Sequence, residues 1–375
     1  MMISKVSNFR TFIHRRHLIP KYYLCRMEEN TEHRTEISSL GEFGLIRRLT
    51  APFKTVNPHT VTAVGDDAAV ADAQGKQVLI TTDLLTEGVH FDLSYTPLKH
   101  LGYKAVAVNL SDLAAMNTFP AQITVSLAVS NRFSLEALEA LYEGIQLACE
   151  AYHVDLIGGD TSTSVSGLTI SVTAVAYARG EEIIRRSGAC EHDLICVSGD
   201  LGAAYAGLLL LEREKKTFEA NPLMQPDLEG YDYVLQRQLK PEARVDVVNL
   251  LRELGIKPTS MIDISDGLAS EILHICESSG KGAAIYPEKI PVDPQTVTVA
   301  EMFHMDPLTL ALNGGEDYEL LFTIAQADYE KISQQRGISV IGHITEAAGG
   351  VNIVNSDLTL TPVTAQGWDA FRGDR

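Results

Sequence analysis

Acidic residues recur beside glycine or threonine in five short stretches of the sequence. These stretches are "VGDDAAV" (64–70), "TTDLLTEGVHF" (81–91), "LIGGDTSTS" (156–164), "DISDGL" (263–268) and "NGGEDYELLF" (313–322). We expect them at strand ends or turns, where α/β proteins commonly build their sites. A single acid after glycine is usually a turn or a helix cap, so it is the recurrence of the pattern that indicates a site.

The chemistry that such acids favour is binding of divalent cations. Converging carboxylates repel one another, which raises their pKa values or drives them apart. A cation removes this repulsion, and carboxylates are the ligands that Mg²⁺ prefers. If Asp263 ends a strand and Asp266 begins a helix, both can face one ion while Ser265 offers a hydroxyl. We therefore predict a Mg²⁺ site built from acids at strand ends.

Signatures of other chemistries are missing from the sequence. It contains no G-x-x-x-x-G-K-[ST] phosphate loop, no G-x-G-x-x-G, no H-E-x-x-H and no G-x-S-x-G. The histidines are dispersed, and His90 stands out only because it lies near the end of one acidic stretch. For a single histidine the default interpretation is a structural hydrogen bond.

Alternating strands and helices must position these acidic stretches. In the first half, the apolar patterns predict strands at 76–83, 121–130 and 168–178, with helices at 96–116 and 134–152. We predict Thr96 as the N-cap of the first of these helices, with Pro97 at its first position. In the second half, the patterns predict strands near 193–198, 259–264, 283–286, 318–324 and 338–344, and helices near 202–214, 242–254, 266–278 and 327–335.

The length of 375 residues favours two domains. We predict an N-terminal extension over residues 1–38, an N-terminal domain over 39–180 and a C-terminal α/β domain over 181–375. Residues 180–189 are interpreted as a connector, and residues 217–232 as an internal loop of the second domain.

Composition argues against several classes of function. The formal net charge of −18 argues against binding to nucleic acid or to anionic membranes, and no apolar run approaches the length of a membrane span. Five scattered cysteines without a C-x-x-C pair indicate a reducing compartment, so we expect a cytoplasmic protein. Residues 1–26 are basic and lack acids; they are either a targeting tail or sequence upstream of a start at Met27, and the second interpretation is favoured.

The motifs as a set resemble a known family. "GEFGLIRRL", "VGDDAAV", "TTDLLTEGVHF", "YKAVAVNLSDLAAM", "LIGGDTS", "RRSGA", "DISDGL", "GGEDYELLFT" and "IGHIT" follow one another between about Gly41 and Phe371. In this order they resemble the thiamine-monophosphate kinases, which belong to the aminoimidazole ribonucleotide synthetase-like superfamily. The resemblance implies a two-domain α/β (α+β) fold whose N-terminal domains form a homodimer through their sheets. It also implies phosphoryl transfer from ATP to thiamine monophosphate, with Mg²⁺, giving thiamine diphosphate.

The resemblance further implies roles for individual residues. Those implied as metal ligands are Asp66, Asp67, Thr81, Thr82, Asp83, Asp112, Asp160, Asp263 and Asp266. Those implied as nucleotide contacts are Thr81, Tyr142, Gly159, Asp160, Arg186 and Ser265. Those implied as contacts to thiamine monophosphate are His90, Glu316 and Trp368, and no side chain is implied as a catalytic acid or base.

Physical chemistry agrees with a site that lacks a general base. The second pKa of a phosphate monoester is about 6, so the acceptor is largely a dianion at neutral pH and can attack without deprotonation. Bringing two anions together is the main difficulty, and Mg²⁺ with Arg186 would reduce their repulsion.

Two alternatives stay open at this point. One is another ATP-using enzyme of the same superfamily, such as a hydrogenase-maturation dehydratase, which would carry a cysteine in its C-terminal tail, or a selenophosphate synthetase. The ending "AFRGDR" contains no cysteine, which argues against the first of these enzymes. A selenophosphate synthetase would carry a reactive cysteine or selenocysteine in a glycine-rich N-terminal segment, whereas Cys25 has no glycine near it. The other alternative is a non-catalytic sensor of nucleotides or thiamine phosphates.

Overall fold

The structure is a computed structural model, and it describes Thr35, residues 41–64 and residues 70–365. Its N-terminal half is a sheet backed by two long helices. The elements are α1 (Gly41–Thr50), β1 (Thr60–Thr62), β2 (Val70–Ala71), β3 (Gln77–Thr86), α2 (Leu98–Ala115), β4 (Pro120–Val129), α3 (Leu135–Tyr152), β5 (Asp155–Thr163) and β6 (Leu168–Ala178). The sheet has the order β3-β6-β4-β5, in which only β4 and β5 are parallel.

The two faces of this sheet differ in exposure. Along β6, alternate side chains from Leu168 to Ala178 are buried in the core formed with α2 and α3. The opposite face is open along β3, where Val78, Ile80 and Leu84 keep 48%, 68% and 57% of their surface exposed. Because side chains alternate along a strand, each β3 residue is committed to one face or the other.

Helices α2 and α3 pack against each other with their backbones in close contact. A Cβ atom on Gly102 of α2 would lie 2.0 Å from the Leu141 carbonyl oxygen, and one on Gly144 of α3 would lie 1.9 Å from that of Lys99. Only glycine permits so close a crossing. The contact therefore fixes how α2, which carries part of the candidate site, lies on the sheet.

The start of α2 differs slightly from the prediction. Thr96 is not the N-cap, because the helix begins at Leu98 and its N-cap is Pro97, which has no capping side chain. Thr96 instead closes the preceding turn: it is buried, and its N–H donates to the Asp92 carbonyl at 2.9 Å. By contrast, Ser134 caps α3 as an ordinary N-cap and accepts from the Ala137 N–H.

The C-terminal half contains a larger sheet. Its elements are β7 (Leu194–Ser198), α4 (Ala203–Ala220), α5 (Asp232–Leu239), α6 (Val245–Glu253), β8 (Ser260–Asp263), α7 (Leu268–Ser279), β9 (Gly282–Ile285), α8 (Pro294–Met302), α9 (Pro307–Asn313), β10 (Leu320–Ile324), α10 (Tyr329–Ile332), β11 (Ile338–Thr345), β12 (Val351–Val354) and β13 (Leu360–Pro362). The strand order is β13-β12-β9-β11-β7-β10-β8, so β8 lies at one edge. In the part of the chain that the structure describes, no helix is long and apolar enough to cross a membrane.

The predicted strands and helices are all present, although several elements were not predicted. Helices α1, α5, α8 and α9 and strands β1, β2, β12 and β13 are additions, and the segment 156–164, expected at a strand end or turn, lies largely within β5. Helix α4 runs to Ala220, so the predicted loop over 217–232 is shorter. The predicted connector over 180–189 contains neither helix nor strand, and the domain boundary near residue 180 stays a prediction.

Candidate active site

Three aspartates from three elements lie together where the two halves of the chain meet. Asp83 is on the inward face of β3, Asp112 is on α2, and Asp263 is the last residue of β8. Their carboxylates are close enough for the charge of one to act on another. Burial is the largest cause that raises the pKa of Asp83 and of Asp263, and the charge of Asp112 is the second largest. The structure thus brings together three of the acids that the sequence predicted as metal ligands.

Local geometry explains this meeting. Thr81 and Asp83 alternate onto the same face of β3. On α2, Asn109 and Asp112 are three residues apart, so both lie on the face directed at β3. Accordingly, Thr81 Oγ1 donates to Asp112 Oδ2 at 2.5 Å, and the Asp83 N–H donates to Asn109 Oδ1 at 2.9 Å.

At the site, a buried hydrogen bond is one of the links from α2 to the C-terminal half. Ser111 Oγ donates to Asp263 Oδ2 at 2.7 Å, and both residues are almost fully buried. Burial disfavours the ionised form of Asp263 and, with the charge of Asp112, raises its pKa to about 7. Burial also raises the pKa of Asp83 to about 6.

A cavity of about 570 Å³ opens beside these acids. Its polar lining comes from Thr81, Asp112, Asp263, Arg185, Arg186, Ser187 and Ser278. Burial raises the pKa of Asp112 and of Asp266, and the positive charge of Arg186 acts in the opposite direction on both. A cavity lined by both carboxylates and a guanidinium suits a polyphosphate that is bound through a cation.

The loop after β8 is held against the loop before β10. The N–H groups of Glu316 and Tyr318 donate to the carbonyls of Ser265 and Ile264 at 2.7 and 2.8 Å. Glu316 and Tyr318 both adopt left-handed backbone conformations, with φ of 68° and 52°. Such conformations cost free energy in residues other than glycine and concentrate at functional sites. The predicted substrate contact Glu316 therefore lies next to Ser265, a predicted nucleotide contact.

Two other acids of "GGEDYELLF" have structural roles. The carboxylate of Asp317 accepts from the N–H groups of Gly202 and Ala204 at 2.7 and 3.3 Å, at the beginning of α4. Glu319 is buried and pairs with Arg237, at 2.6 Å, and with Arg244. Within this motif, the structure separates one partly exposed acid, Glu316, from two that stabilise the fold.

Glu271 is a site residue that the sequence did not single out. It lies in the first turn of α7, is 2% exposed, and accepts from the Asp266 N–H at 3.1 Å through Oε1. Its other oxygen, Oε2, is buried with no hydrogen-bond partner in residues 41–64 and 70–365. Burial raises the pKa of Glu271 to about 8, and the charges of Asp266 and Asp263 add to the effect. In the sequence, the signal that could have identified Glu271 is its position as an acid five residues after Asp266.

Thr82 and Asp160 lie on the other side of the N-terminal sheet. Thr82 Oγ1 donates to the Val172 carbonyl at 3.0 Å and accepts from Thr173 Oγ1 at 3.1 Å. Strand register places Asp160 beside Ser126, which shares this exposed face. The described structure does not bring these two predicted ligands to Asp83 and Asp112. Their role in metal binding stays a prediction that requires approach from the exposed face.

Gly159 and Tyr142 also have clear packing environments. A Cβ atom on Gly159 would lie 1.9 Å from the Val125 carbonyl oxygen, so close strand packing alone requires glycine there. Tyr142 is buried on α3, forms a T-shaped pair with the Phe53 ring at 6.3 Å between centroids, and lines a second cavity of about 490 Å³. The residues that line this cavity include none that line the first.

The remaining predicted substrate contacts differ in what can be said of them. His90 is exposed in the turn after β3, and its Nδ1 accepts from the Thr86 N–H at 3.0 Å, which leaves Nε2 as a donor. Trp368, together with the predicted ligands Asp66 and Asp67, lies outside the described residues.

The donor set is suited to Mg²⁺, although the ion's position is not preformed. In residues 41–64 and 70–365, no group of three histidine, cysteine, aspartate or glutamate side chains is arranged to hold a metal ion. Asp83, Asp112 and Asp263 nevertheless supply oxygen ligands, and the pKa of each is raised by burial, so a bound cation would favour their ionised forms.

Comparison with known proteins identifies the class to which this fold and site belong. The family model for "AIR synthase related protein, N-terminal domain" matches residues 65–178, and that for "AIR synthase related protein, C-terminal domain" matches residues 191–355. The two matches cover most of the chain: the first contains the four-stranded sheet, and the second contains six of the seven strands of the larger sheet. The protein thus has the two-domain architecture of the AIR synthase related proteins.

Individual relatives narrow this class further. A thiamine-monophosphate kinase of Bacillus subtilis is 35% identical over 341 residues, covering 89% of this chain and 100% of the relative. The solved structure of AaThiL complexed with AMPPCP and TMP is 32% identical, with a TM-score of 0.69, covering 89% of this chain and 98% of that one. The chain belongs to the thiamine-monophosphate kinase family.

Another solved structure illustrates how widely the fold is shared. The hydrogenase maturation protein HypE of Escherichia coli has a TM-score of 0.68, with 85% of this chain and 95% of that chain covered. Its sequence identity is only 19%, so the likeness concerns the fold alone.

Proposed function

We propose that the protein transfers the terminal phosphoryl group of ATP to thiamine monophosphate and so forms thiamine diphosphate. The observation that carries the proposal is the group Asp83, Asp112 and Asp263, of which Asp112 and Asp263 line a cavity that also contains Arg186. The names of the relatives support this choice of substrates, as does the nucleotide analogue in the AaThiL complex.

The electrostatics of the site support phosphoryl transfer. Phosphoryl transfer depends on positioning and on charge stabilisation more than on covalent chemistry by the protein. Mg²⁺, when bound, supplies charge neutralisation for the phosphates, and Asp83, Asp112 and Asp263 would hold it. Arg186 adds a fixed positive charge to the lining of the same cavity.

A backbone hydrogen bond connects Glu316, the residue proposed to contact the acceptor, to the loop that follows Asp263 of the cavity. The Glu316 N–H donates to the Ser265 carbonyl, so a backbone hydrogen bond joins the residue proposed to contact thiamine to the loop proposed to contact the nucleotide. A phosphate dianion attacks without a general base, so His90, which is exposed, is proposed to bind substrate rather than to move a proton.

We also propose that the protein works as a homodimer in the cytoplasm. The exposed aliphatic residues of β3 form an apolar strip on the open face of the N-terminal sheet, as expected for a buried interface. The cysteines Cys149, Cys190, Cys196 and Cys276 are unpaired, which supports a reducing compartment. Ile80→Glu should give a monomer by light scattering, whereas Val165→Glu, at a fully exposed loop position, should not change the mass.

A coupled assay of ADP release tests the function. With ATP and Mg²⁺, thiamine monophosphate should support turnover, whereas thiamine and unrelated phosphomonoesters should not. Asp112→Asn should lose activity by several orders of magnitude, and Asp357→Asn, at an exposed turn, should retain it. Binding of both ligands without ADP release would instead favour a sensor, and preference for another acceptor would favour a different ATP-using enzyme of the same superfamily.

A further inference from the structure

Glu316 is held by a lysine to which the proposed function assigns no role. Lys104 on α2 forms an ion pair with Glu316, with Nζ 2.9 Å from Oε1. The same ammonium donates to the Gln238 carbonyl on α5 at 3.0 Å, and Gln238 Nε2 donates to Glu316 Oε2 at 2.7 Å. Both oxygens of the carboxylate are therefore engaged by groups from two different helices.

This arrangement is costly for the fold. Lys104 is only 3% exposed, and burying an ammonium requires compensation by a close partner. Gln238 is also buried, and its Oε1 has no hydrogen-bond partner in the part of the chain that the structure describes. Glu316 itself adopts the left-handed conformation. Three unfavourable features converge on one carboxylate, and such features persist mainly where a position must be maintained for function.

The carboxylate is nevertheless open on one side. The side chain of Glu316 keeps 28% of its surface exposed, whereas that of Lys104 keeps 4%. A carboxylate has about four lone-pair sites, so two remain available after these two hydrogen bonds. The exposed edge can therefore accept from a ligand while the buried edge is fixed by Lys104 and Gln238.

We infer that Lys104 and Gln238 are positioning residues that orient Glu316 for the organic part of the acceptor substrate. The inference rests on the proposed role of Glu316 as a contact to thiamine monophosphate. Lys104 is on α2 of the N-terminal half, whereas Glu316 is in the C-terminal half. Affinity for the acceptor thus depends on a contact between the halves that does not itself touch the substrate.

The test compares Lys104→Met, Gln238→Leu and Glu316→Gln with Lys99→Met. Lys99 serves as the matched control because it is on the same helix and forms an exposed ion pair with Glu143. We expect Lys104→Met to raise KM for thiamine monophosphate by about tenfold, with kcat and the KM for ATP changed by less than about threefold. Gln238→Leu should raise the same KM, and Lys99→Met should leave it unchanged.

A double variant distinguishes orientation from a merely structural effect. If Lys104 acts through Glu316, adding Lys104→Met to Glu316→Gln should raise the KM for thiamine monophosphate no further. A general loss of folding would instead raise both KM values together and lower the melting temperature, and that result would overturn the inference. Should Lys104→Met not fold, Gln238→Leu and its combination with Glu316→Gln decide the question in the same way.

The failure of the inference can be told from failure of the proposed function. If Glu316→Gln raises KM for thiamine monophosphate but Lys104→Met and Gln238→Leu do not, the positioning role is wrong and the function stands. If Glu316→Gln has no effect while ADP release still requires thiamine monophosphate, the role of Glu316 and the inference both fall. If no thiamine-dependent ADP release occurs, the function itself is wrong.

Discussion

Replacing Asp263 with asparagine should stabilise the protein without metal while abolishing its activity. In the folded protein, burial and the neighbouring acids raise the pKa of Asp263 from 3.8 to about 7. The folded chain therefore holds this proton more tightly than the unfolded chain does. An asparagine side chain at this position would keep an oxygen that accepts from Ser111 Oγ while removing the ionisable group.

The sign and the size of the effect follow from this pKa. Below pH 3.8 the carboxyl is protonated in both states, and between pH 3.8 and about 7 the unfolded chain loses its proton first, so stability falls as pH rises. Above pH 7 this decrease in the free energy of unfolding is complete and amounts to at most about 4 kcal/mol. Relaxation of the site and repulsion shared with Asp112 should reduce the gain from Asp263→Asn to about 2 kcal/mol, or roughly 4–8 °C in melting temperature.

The assay is thermal unfolding without metal at pH 4.5 and pH 8, followed by the same measurement with Mg²⁺. The melting temperature of Asp263→Asn should exceed that of the wild type mainly at pH 8, and Mg²⁺ should stabilise the wild type more than the variant. Asp155→Asn is the control with opposite sign, because Asp155 accepts three hydrogen bonds, from the Val56 and Asn57 N–H groups and from Thr60, and should lose stability when replaced. The reasoning would be refuted if Asp263→Asn melted at a lower temperature than the wild type, or if its gain in melting temperature were the same at both pH values.

Other predictions concern substrate binding and the ends of the chain. His90→Ala should raise KM for thiamine monophosphate with kcat nearly unchanged, and a loss of kcat by orders of magnitude would make His90 catalytic. The kcat should rise with pH through about 6 and then stay level, as expected for an acceptor dianion; a fall above neutral pH would indicate a group that must remain protonated. Thiamine monophosphate should change the fluorescence of Trp368, and Trp368→Ala should raise KM more than Trp368→Phe, because an indole face binds a cation best; a lower melting temperature at unchanged KM would contradict this. Deleting residues 1–26 should leave kinetics and melting temperature unchanged, and an inactive or insoluble product would contradict the prediction.

Periodicity predicted the parts of the fold that depend on one segment at a time. The inward alternation of Thr81 and Asp83 and the helical spacing of Asn109 and Asp112 follow directly from strand and helix geometry. The capped starts of α8 and α9 were also readable, since Asp293 and Asp306 each precede a proline and accept from the second residue of the helix. These two signals are present in the sequence, although neither helix was among the predicted elements.

Relations between distant segments could not be read in the same way. The motif "GGEDYELLF" does not show which of its acids is structural, because the partners of Asp317 and Glu319 are far away in the sequence. The position of Asp160 on the open face depends on pairing between β4 and β5. Lys104 lies in an apolar helix, and only the fold shows that it reaches Glu316.

The glycine crossing of α2 and α3 limits how this protein can be altered. Replacing glycine in a helix with alanine is a common route to thermostability, because it restricts the unfolded chain. At Gly102 and Gly144 the added methyl group would overlap a carbonyl of the facing helix, so the helices would have to separate. Separation would move Asp112 away from Thr81 and weaken the site before the protein unfolds. A library selected for heat resistance alone should therefore recover these substitutions rarely, and any survivors should be poor catalysts.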